Sequence, residues 1–245
     1  MSRRIKNQKN KPISKELITK CNWYIPYFTN EKEWEKININ NWFEILYYNY
    51  NIDSRTNYKI DINSRICSID IGVKNFITLY GLNGYCYKIK SSYNQINIIL
   101  KNNNIPYSIK DKMIREMINE LHIISAKYIC KLYDIIYIGY VNNKGNIDSS
   151  SMETIEDNLL KIVCHNKFLE LLKVYCIQYK KELYIVDESY TSVMCGSCSN
   201  MNKFDRIIHE DGSIRRMYIC KYCNVISCRD MNASRNILIK NYAIN

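Results

Sequence analysis

From Arg65 onward the period of the apolar positions changes several times, and each change marks an element. RICSIDIGVKNFITLYGLNGYCYKIK reads as three short β-rich runs, with Gly72, Gly81 and the Asn83-Gly84 pair supplying the turns. KDKMIREMINELHIISAKYICKLY then spaces Ile114, Met117, Leu121, Ile124 and Tyr128 at helical intervals. DIIYIGYV is a near-continuous apolar run, as in a strand buried on both faces. A second helix is expected over about residues 156–180, with Phe168, Leu172, Tyr175 and Tyr179 on one face. LYIV is another buried strand, leading into Asp187 and Glu188. The order is βββαβαβ.

Upstream, Cys21 to Asn63 is aromatic and holds Trp23, Trp34 and Trp42 with Tyr24, Tyr27, Phe28, Phe43, Tyr47 and Tyr48. It reads as a small helical or mixed lobe whose rings fill a core, base stacking being the rarer use. Residues 1–20 carry Arg3, Arg4, Lys6, Lys9, Lys11, Lys15 and Lys20 against the single acid Glu16, as a flexible basic arm would. Three hairpin strands followed by alternating helices and strands predict an α/β architecture, in the order of the RNase H-like fold.

The length of 245 residues, 47% of them apolar, suits one main domain with a small satellite. A net charge of +11 points to a polyanionic partner, most simply nucleic acid. No apolar run approaches a membrane span and MSRRIKNQKNKPISK lacks a secretory core, so an intracellular, reducing location without a membrane partner is expected. There, eleven cysteines are metal ligands and buried fillers before they are disulfides. The abundance of Asn and Ile reflects AT-rich coding DNA and carries no chemistry.

Cys195 and Cys198 form one CxxC pair and Cys220 and Cys223 another, with 21 residues between them. Two such knuckles supply four thiolates in the tetrahedral arrangement of a closed structural Zn²⁺ site, a redox role being the weaker alternative. Cys228 lies five residues past the last ligand and reads as a spare thiol, as do Cys21, Cys67, Cys86, Cys130, Cys164 and Cys176. Lys203, Arg206, His209, Arg215 and Arg216 make the intervening hairpin basic.

Three acids stand where a second metal site could form: Asp70 in the first strand after Arg65, Glu188 just after the last, and Asp230 immediately after the cysteines. Neighbouring strand ends converge in a parallel-centred sheet, and the cysteine excursion returns Asp230 towards Glu188, where it caps the helix MNASRNILIK. Clustered carboxylates need cations, and hard oxygen donors select Mg²⁺ or Mn²⁺. Taken singly, each acid is as well explained by a structural role.

The segments SIDIGVKNFITLYG, NELH, YDIIYIGYV, VDESYTSVMCGSC and CRDMNASRNIL resemble, in this order, the TnpB and Fanzor transposon-associated nucleases, over about residues 65–240. The resemblance implies an RNase H-like (RuvC) core with an inserted four-Cys zinc ribbon and a short N-terminal lobe. Its divisions would be an arm at 1–20, an aromatic lobe at 21–64, the nuclease core at 65–192 and 228–245, and the ribbon at 193–227. It further implies Asp70, Glu188 and Asp230 as catalytic ligands of two Mg²⁺ or Mn²⁺ ions, beside one structural zinc.

Many TnpB proteins place their Glu at the end of the middle strand, where this chain reads YIGYVNN. Fanzors place it before YTS, and VDESYTS supplies Glu188 there, so the resemblance leans to the Fanzor side. Asp187 is its local rival, expected to face the opposite way. Lys74, Arg229 and Arg235 lie beside the motif acids as candidate nucleic-acid contacts or plain surface charges. The implied function is a metal-dependent DNA endonuclease using two ions roughly 4 Å apart, leaving a 3′-hydroxyl and a 5′-phosphate, with RNA as a candidate guide. Two alternatives stand beside it. One is an inactive nucleic-acid-binding ribbon protein, favoured by the short stretch before the core; the other is a resolvase that reads DNA shape without RNA.

Overall fold

Ile66–Ile71 is buried on both faces, Cys67 and Ile69 on one and Ser68 on the other, as a central strand is, and the chain builds outward from it. The computed structural model describes residues 3–4, 35–38, 44–49, 63, 65–72, 75–83, 85–140, 165–201, 207–208, 214–215 and 217–242. In chain order the strands of the main sheet are β1 (Arg3–Arg4), β2 (Glu35–Asn38), β3 (Glu44–Asn49), β4 (Ile66–Ile71), β5 (Asn75–Gly81), β6 (Tyr85–Lys90), β7 (Ile135–Gly139) and β8 (Glu182–Val186). Helices α1 (Tyr93–Lys101) and α2 (Tyr107–Leu132) lie between β6 and β7, and α3 (His165–Gln178) precedes β8. The short hairpins β9 (Ile207–Ile208) with β10 (Ile214–Arg215), and β11 (Met217–Ile219) with β12 (Ile226–Cys228), precede α4 (Arg229–Tyr242).

The eight strands stand in the order β1-β8-β7-β4-β5-β6-β3-β2. β4, β7, β8 and β1 run parallel, while β5, β6, β3 and β2 continue as an antiparallel meander. The βββαβαβ order expected from the pattern is therefore present between residues 66 and 186. Its second helix is described from His165, and residues 156–164 of the expected span lie outside the described residues. Helix α1 was not anticipated. It buries Ile96 and Ile99 while Ile98 is exposed, a stripe too short and too rich in Asn and Ile to declare a helix by propensity.

Two expectations for the first 64 residues need correction. β2 and β3 do not belong to a separate aromatic lobe: β3 pairs with β6 from Ile45↔Ile89 to Asn49↔Tyr85, so this stretch continues the main sheet and covers an edge that β6 would otherwise expose. Arg3 and Arg4, placed in a flexible arm, form β1 against Tyr184 and Ile185 of β8. The other aromatic and basic positions of residues 1–62 lie outside the described residues.

Alternation gives the sheet two differently covered faces. Cys67, Ile69, Ile136 and Ile138 pack with Leu121 and Ile129 of α2 and Phe168 and Leu172 of α3. Phe76 meets Phe168 edge-on at 4.9 Å between ring centroids and stacks on His122 at 5.2 Å. On the other face Tyr80, Tyr137 and Val186 pack under Met231, Ile237 and Leu238 of α4. No described helix is long and apolar enough to cross a membrane.

Helix α4 is buried at every position from Met231 to Asn241 although half of those residues are polar. Desolvated polar groups need partners, and most have them, the Oδ1 atom of Asn236 being the exception. Lys240, 2% exposed, pairs with Asp187 at 2.7 Å and donates to the Ser189 carbonyl at 3.0 Å. Helix and strand touch at two small residues: the Ser68 hydroxyl donates to the Ser234 carbonyl at 2.6 Å, and the Ser234 hydroxyl returns a bond to the Ser68 carbonyl at 2.9 Å. Ser234→Val would lose that exchange and wedge α4 away from β4. The expected cost is about 1–3 kcal/mol, read as a lower urea midpoint with unchanged m.

Candidate metal centres

The two CxxC stretches fold into a matching pair of turns. In the first, Cys195 N–H donates to the Asn200 carbonyl and Ser199 N–H to that of Cys195; in the second, Cys220 donates to Val225 and Asn224 to Cys220, all at 2.9 Å. Each turn closes with the residue after its second cysteine in the left-handed region, Ser199 at φ 63° and Asn224 at φ 56°. The result brings the Sγ atoms of Cys195, Cys198, Cys220 and Cys223 within 4.8 Å of one another. Cys195 and Cys223 stand 3.6 Å apart and Cys198 and Cys220 3.5 Å. The edge of a zinc–thiolate tetrahedron is about 3.8 Å for bonds of about 2.3 Å, so donor type, number and spacing all fit one zinc ion.

One of the four thiols, that of Cys220, is also prepared to ionise. Burial opposes the charge on Cys220, yet the N–H groups of Cys223 and Tyr222 and the neighbouring thiols outweigh it and push its pKa down to about 6, while burial holds Cys195 up. Ser197 N–H and the Asn200 side-chain amide point at Cys195 and Cys198 Sγ from 3.4 and 3.3 Å, the outer partners that orient metal-bound sulfur. Cys228 stays outside this cluster, and Cys67, Cys86, Cys130 and Cys176 are buried thiols as expected. Cys21 and Cys164 lie outside the described residues.

The three acids are delivered by different elements to one edge of the sheet. Asp70 is two residues beyond Ser68 on β4, so it shares the face that Ser68 turns to α4. Asp230 is one helical turn before Ser234, on the same stripe of α4, and accepts a 2.9 Å bond from the Asn75 amide at the start of β5. It sits in the first turn and not at the cap as expected, because the helix already begins at Arg229.

Glu188 follows β8 and lies over Gly139, the last residue of β7. A Cβ on Gly139 would stand 2.5 Å from Glu188 Oε2 and 2.7 Å from Ile237 Cδ1 of α4. Since Ile69 pairs with Ile138, Asp70 is in the next row, beside Gly139. Burial first, and then the charge of Asp187, push the Glu188 carboxyl up to about 7, with Lys240 opposing. Asp187 does not turn away by strand alternation: the chain leaves the strand after Val186, and Asp187 is taken by Lys240. Among the described residues the four thiols are the one group drawn together tightly enough to hold an ion as they stand; the carboxylates line one face without converging to that degree. Their oxygen donors and the cost of a buried charge on Glu188 suit a hard divalent cation.

Among the basic candidates, Arg229 is half-buried at the start of α4 and Lys74 lies outside the described residues. Arg235 needs correction: it is 1% exposed and its guanidinium donates to the Gly196 carbonyl, so it cannot serve as a surface contact for phosphate. Sequence reasoning missed Gly139 and Asn75. A glycine inside a buried strand run is a recognised sign of close approach and could have singled out Gly139; Asn75 carried no such signal.

Two outcomes follow. Cys195→Ser should lower bound zinc from about one ion per chain towards none and reduce the melting temperature, since ligand binding is also folding energy; elemental analysis and calorimetry read both. Gly139→Ala should displace Glu188 and cost about 1–3 kcal/mol by overpacking, which denaturant titration measures.

Residues 165–237 match the family model described as Cas12f1-like, TNB domain. Among known proteins, "Putative transposase R186" of Acanthamoeba polyphaga mimivirus is 28% identical over 198 residues, covering 71% of this chain and 39% of that protein. "TnpB-like protein L79" of the same virus is 23% identical over 206 residues, covering 74% of this chain and 38% of the relative. The chain thus spans about two-fifths of the length of the relatives it matches. Among solved structures, the Cas12f1-sgRNA-target DNA complex aligns with a TM-score of 0.45 at 18% identity, covering 70% of this chain and 49% of that one. The chain is thus similar to TnpB-like proteins along most of its length and, over residues 165–237, to the Cas12f1-like TNB domain.

Proposed function

We propose that this chain is a DNA endonuclease with an RNase H-like (RuvC) core, in which Asp70, Glu188 and Asp230 hold two Mg²⁺ or Mn²⁺ ions and Cys195, Cys198, Cys220 and Cys223 hold one structural zinc. The observation that carries the reading is the seat of Glu188 over Gly139, in the row beside Asp70 and under the helix that presents Asp230. The sheet order β6-β5-β4-β7-β8, antiparallel at β5 and parallel from β4 to β8, supports the fold assignment. Position of the acid supports the Fanzor-like side of the family: β7 ends in glycine, and the segment just after β8 supplies the Glu.

Bound ions would supply an activated water and neutralise charge on the phosphate being cut. The protein's own groups prepare the site for them. Asn75 fixes the Asp230 carboxylate by its 2.9 Å bond. Lys240 engages Asp187 and leaves Glu188 to face the site. Arg229 adjoins Asp230 in sequence and is a candidate contact for a phosphate, and the +11 charge of the chain attracts the polyanion. Similarity to TnpB-like proteins supports DNA as substrate and RNA as guide, in an intracellular setting.

The full chain, purified with its nucleic acid, should yield a defined RNA and cut matching DNA when Mg²⁺ is added. Asp230→Ala should leave melting within about 1 kcal/mol of wild type, as substitutions outside the packed core do, and lower cutting at least about a hundredfold. Full cutting by Asp230→Ala would refute the triad. DNA binding with no cutting by the wild type would make the chain a ribbon-bearing binding protein, and cutting of branched DNA without RNA would make it a resolvase.

A further inference from the structure

The RD-x-NA-x-RNI stretch carries one acid for the proposed reaction, and its remaining polar residues need another explanation. Asn232, Arg235 and Asn236 are spaced three and four apart, so they form a second stripe on α4, distinct from the stripe of Asp230, Ser234 and Ile237. All three are buried, Arg235 at 1% exposure and Asn236 at 0%. A buried guanidinium is costly unless its bonds are met within the protein, and here the partners belong to the first cysteine turn. Asn232 accepts from the Gly196 N–H at 2.9 Å and donates to the Met194 carbonyl at 2.8 Å. Arg235 donates to the Gly196 carbonyl. Asn236 donates to the carbonyls of Thr191 and Met194 at 2.9 and 2.8 Å.

The three side chains close on one residue. A Cβ on Gly196 would meet Arg235 Nη1 at 2.8 Å, Asn236 Oδ1 at 2.9 Å and Asn232 Oδ1 at 3.0 Å. Gly196 lies between Cys195 and Cys198, so the peptide gripped by α4 is part of the loop that the thiols close. The same helix presents Asp230 two residues before Asn232. Polar residues were used for this contact because the loop offers only backbone carbonyls and an N–H, which apolar side chains would leave unsatisfied.

We infer that Asn232, Arg235 and Asn236 are positioning residues, a clamp through Gly196 that makes the place of Asp230 depend on metal in the cysteine site. The catalytic consequence rests on the function proposed above; the mechanical coupling does not. Loss of zinc frees the turn, the clamp loses its fixed partner, and the first turn of α4 loosens. The cysteine cluster thereby acts on the carboxylate site without contributing an atom to it.

The test is amide hydrogen exchange on the full chain, zinc-loaded, stripped with a zinc chelator and reloaded with Zn²⁺ alone. Stripping should speed exchange of residues 229–236 by about 5- to 150-fold, leave α2 protected, and be reversed by reloading. Gly196→Ala and Arg235→Met should reproduce the faster exchange with zinc still bound, as measured by elemental analysis. Unchanged exchange at 229–236 in the stripped chain, or in zinc-loaded Gly196→Ala, would overturn the clamp. Should stripping unfold the whole chain, the zinc-loaded Gly196→Ala result decides. The two readings fail separately: coupled exchange in a chain that never cuts DNA keeps the clamp and removes the nuclease, and uncoupled exchange in a chain that cuts does the reverse.

Discussion

A polar helix buried on all sides is the constraint from which the rest of this structure follows. Every position of α4 from Met231 to Asn241 is shielded from water, and the helix lies between the sheet and the cysteine turns. Hydrophobic burial alone would place such a helix anywhere on an apolar face. Hydrogen bonds give it one place: Ser234 on Ser68, Asn232 and Arg235 on Gly196, Lys240 on Asp187. Each of these bonds is directional and stands in low dielectric, where a missing partner costs more than a made bond gains. A small slip of α4 would break several at once, so the acid in its first turn is held by groups that never touch it.

Glu188 shows the same logic in electrostatic form. Two neighbouring carboxylates, Asp187 and Glu188, follow the last strand, and packing them together would be unfavourable. Lys240 separates them in function by pairing with Asp187. Glu188 is left with a buried carboxyl whose pKa is pushed up to about 7. The glycine at the end of β7 makes the remaining space, and Ile237 closes it.

The elements that could be read from the chain were those whose signal is local. Alternation in β4 to β6, the apolar run of β7 and the paired CxxC spacing each follow from a few adjacent residues, and the structure carries them. Sheet-extending strands β2 and β3 were hidden because aromatic residues suit a small lobe and a strand equally well, and only pairing with β6 decides between them. Arg235 was misread for a related reason. Beside an acidic motif a guanidinium suggests phosphate, whereas its actual partner is a backbone carbonyl 39 residues away, which no pattern announces. Gly139 lay between these cases: its oddity in a strand was visible, but the side chain that needs the space comes from the segment beyond the next strand.

The Ser68–Ser234 contact joins residues 166 positions apart. At about 5–20 residues per second of synthesis, roughly 8–33 s separate the emergence of the two partners from the ribosome. For that interval the sheet can form while the carboxylate of α4 is absent. A nascent chain of this design carries Asp70 early, and Asp230 joins it only when α4 docks, so the order of synthesis delays the meeting of the two carboxylates until the sheet is in place.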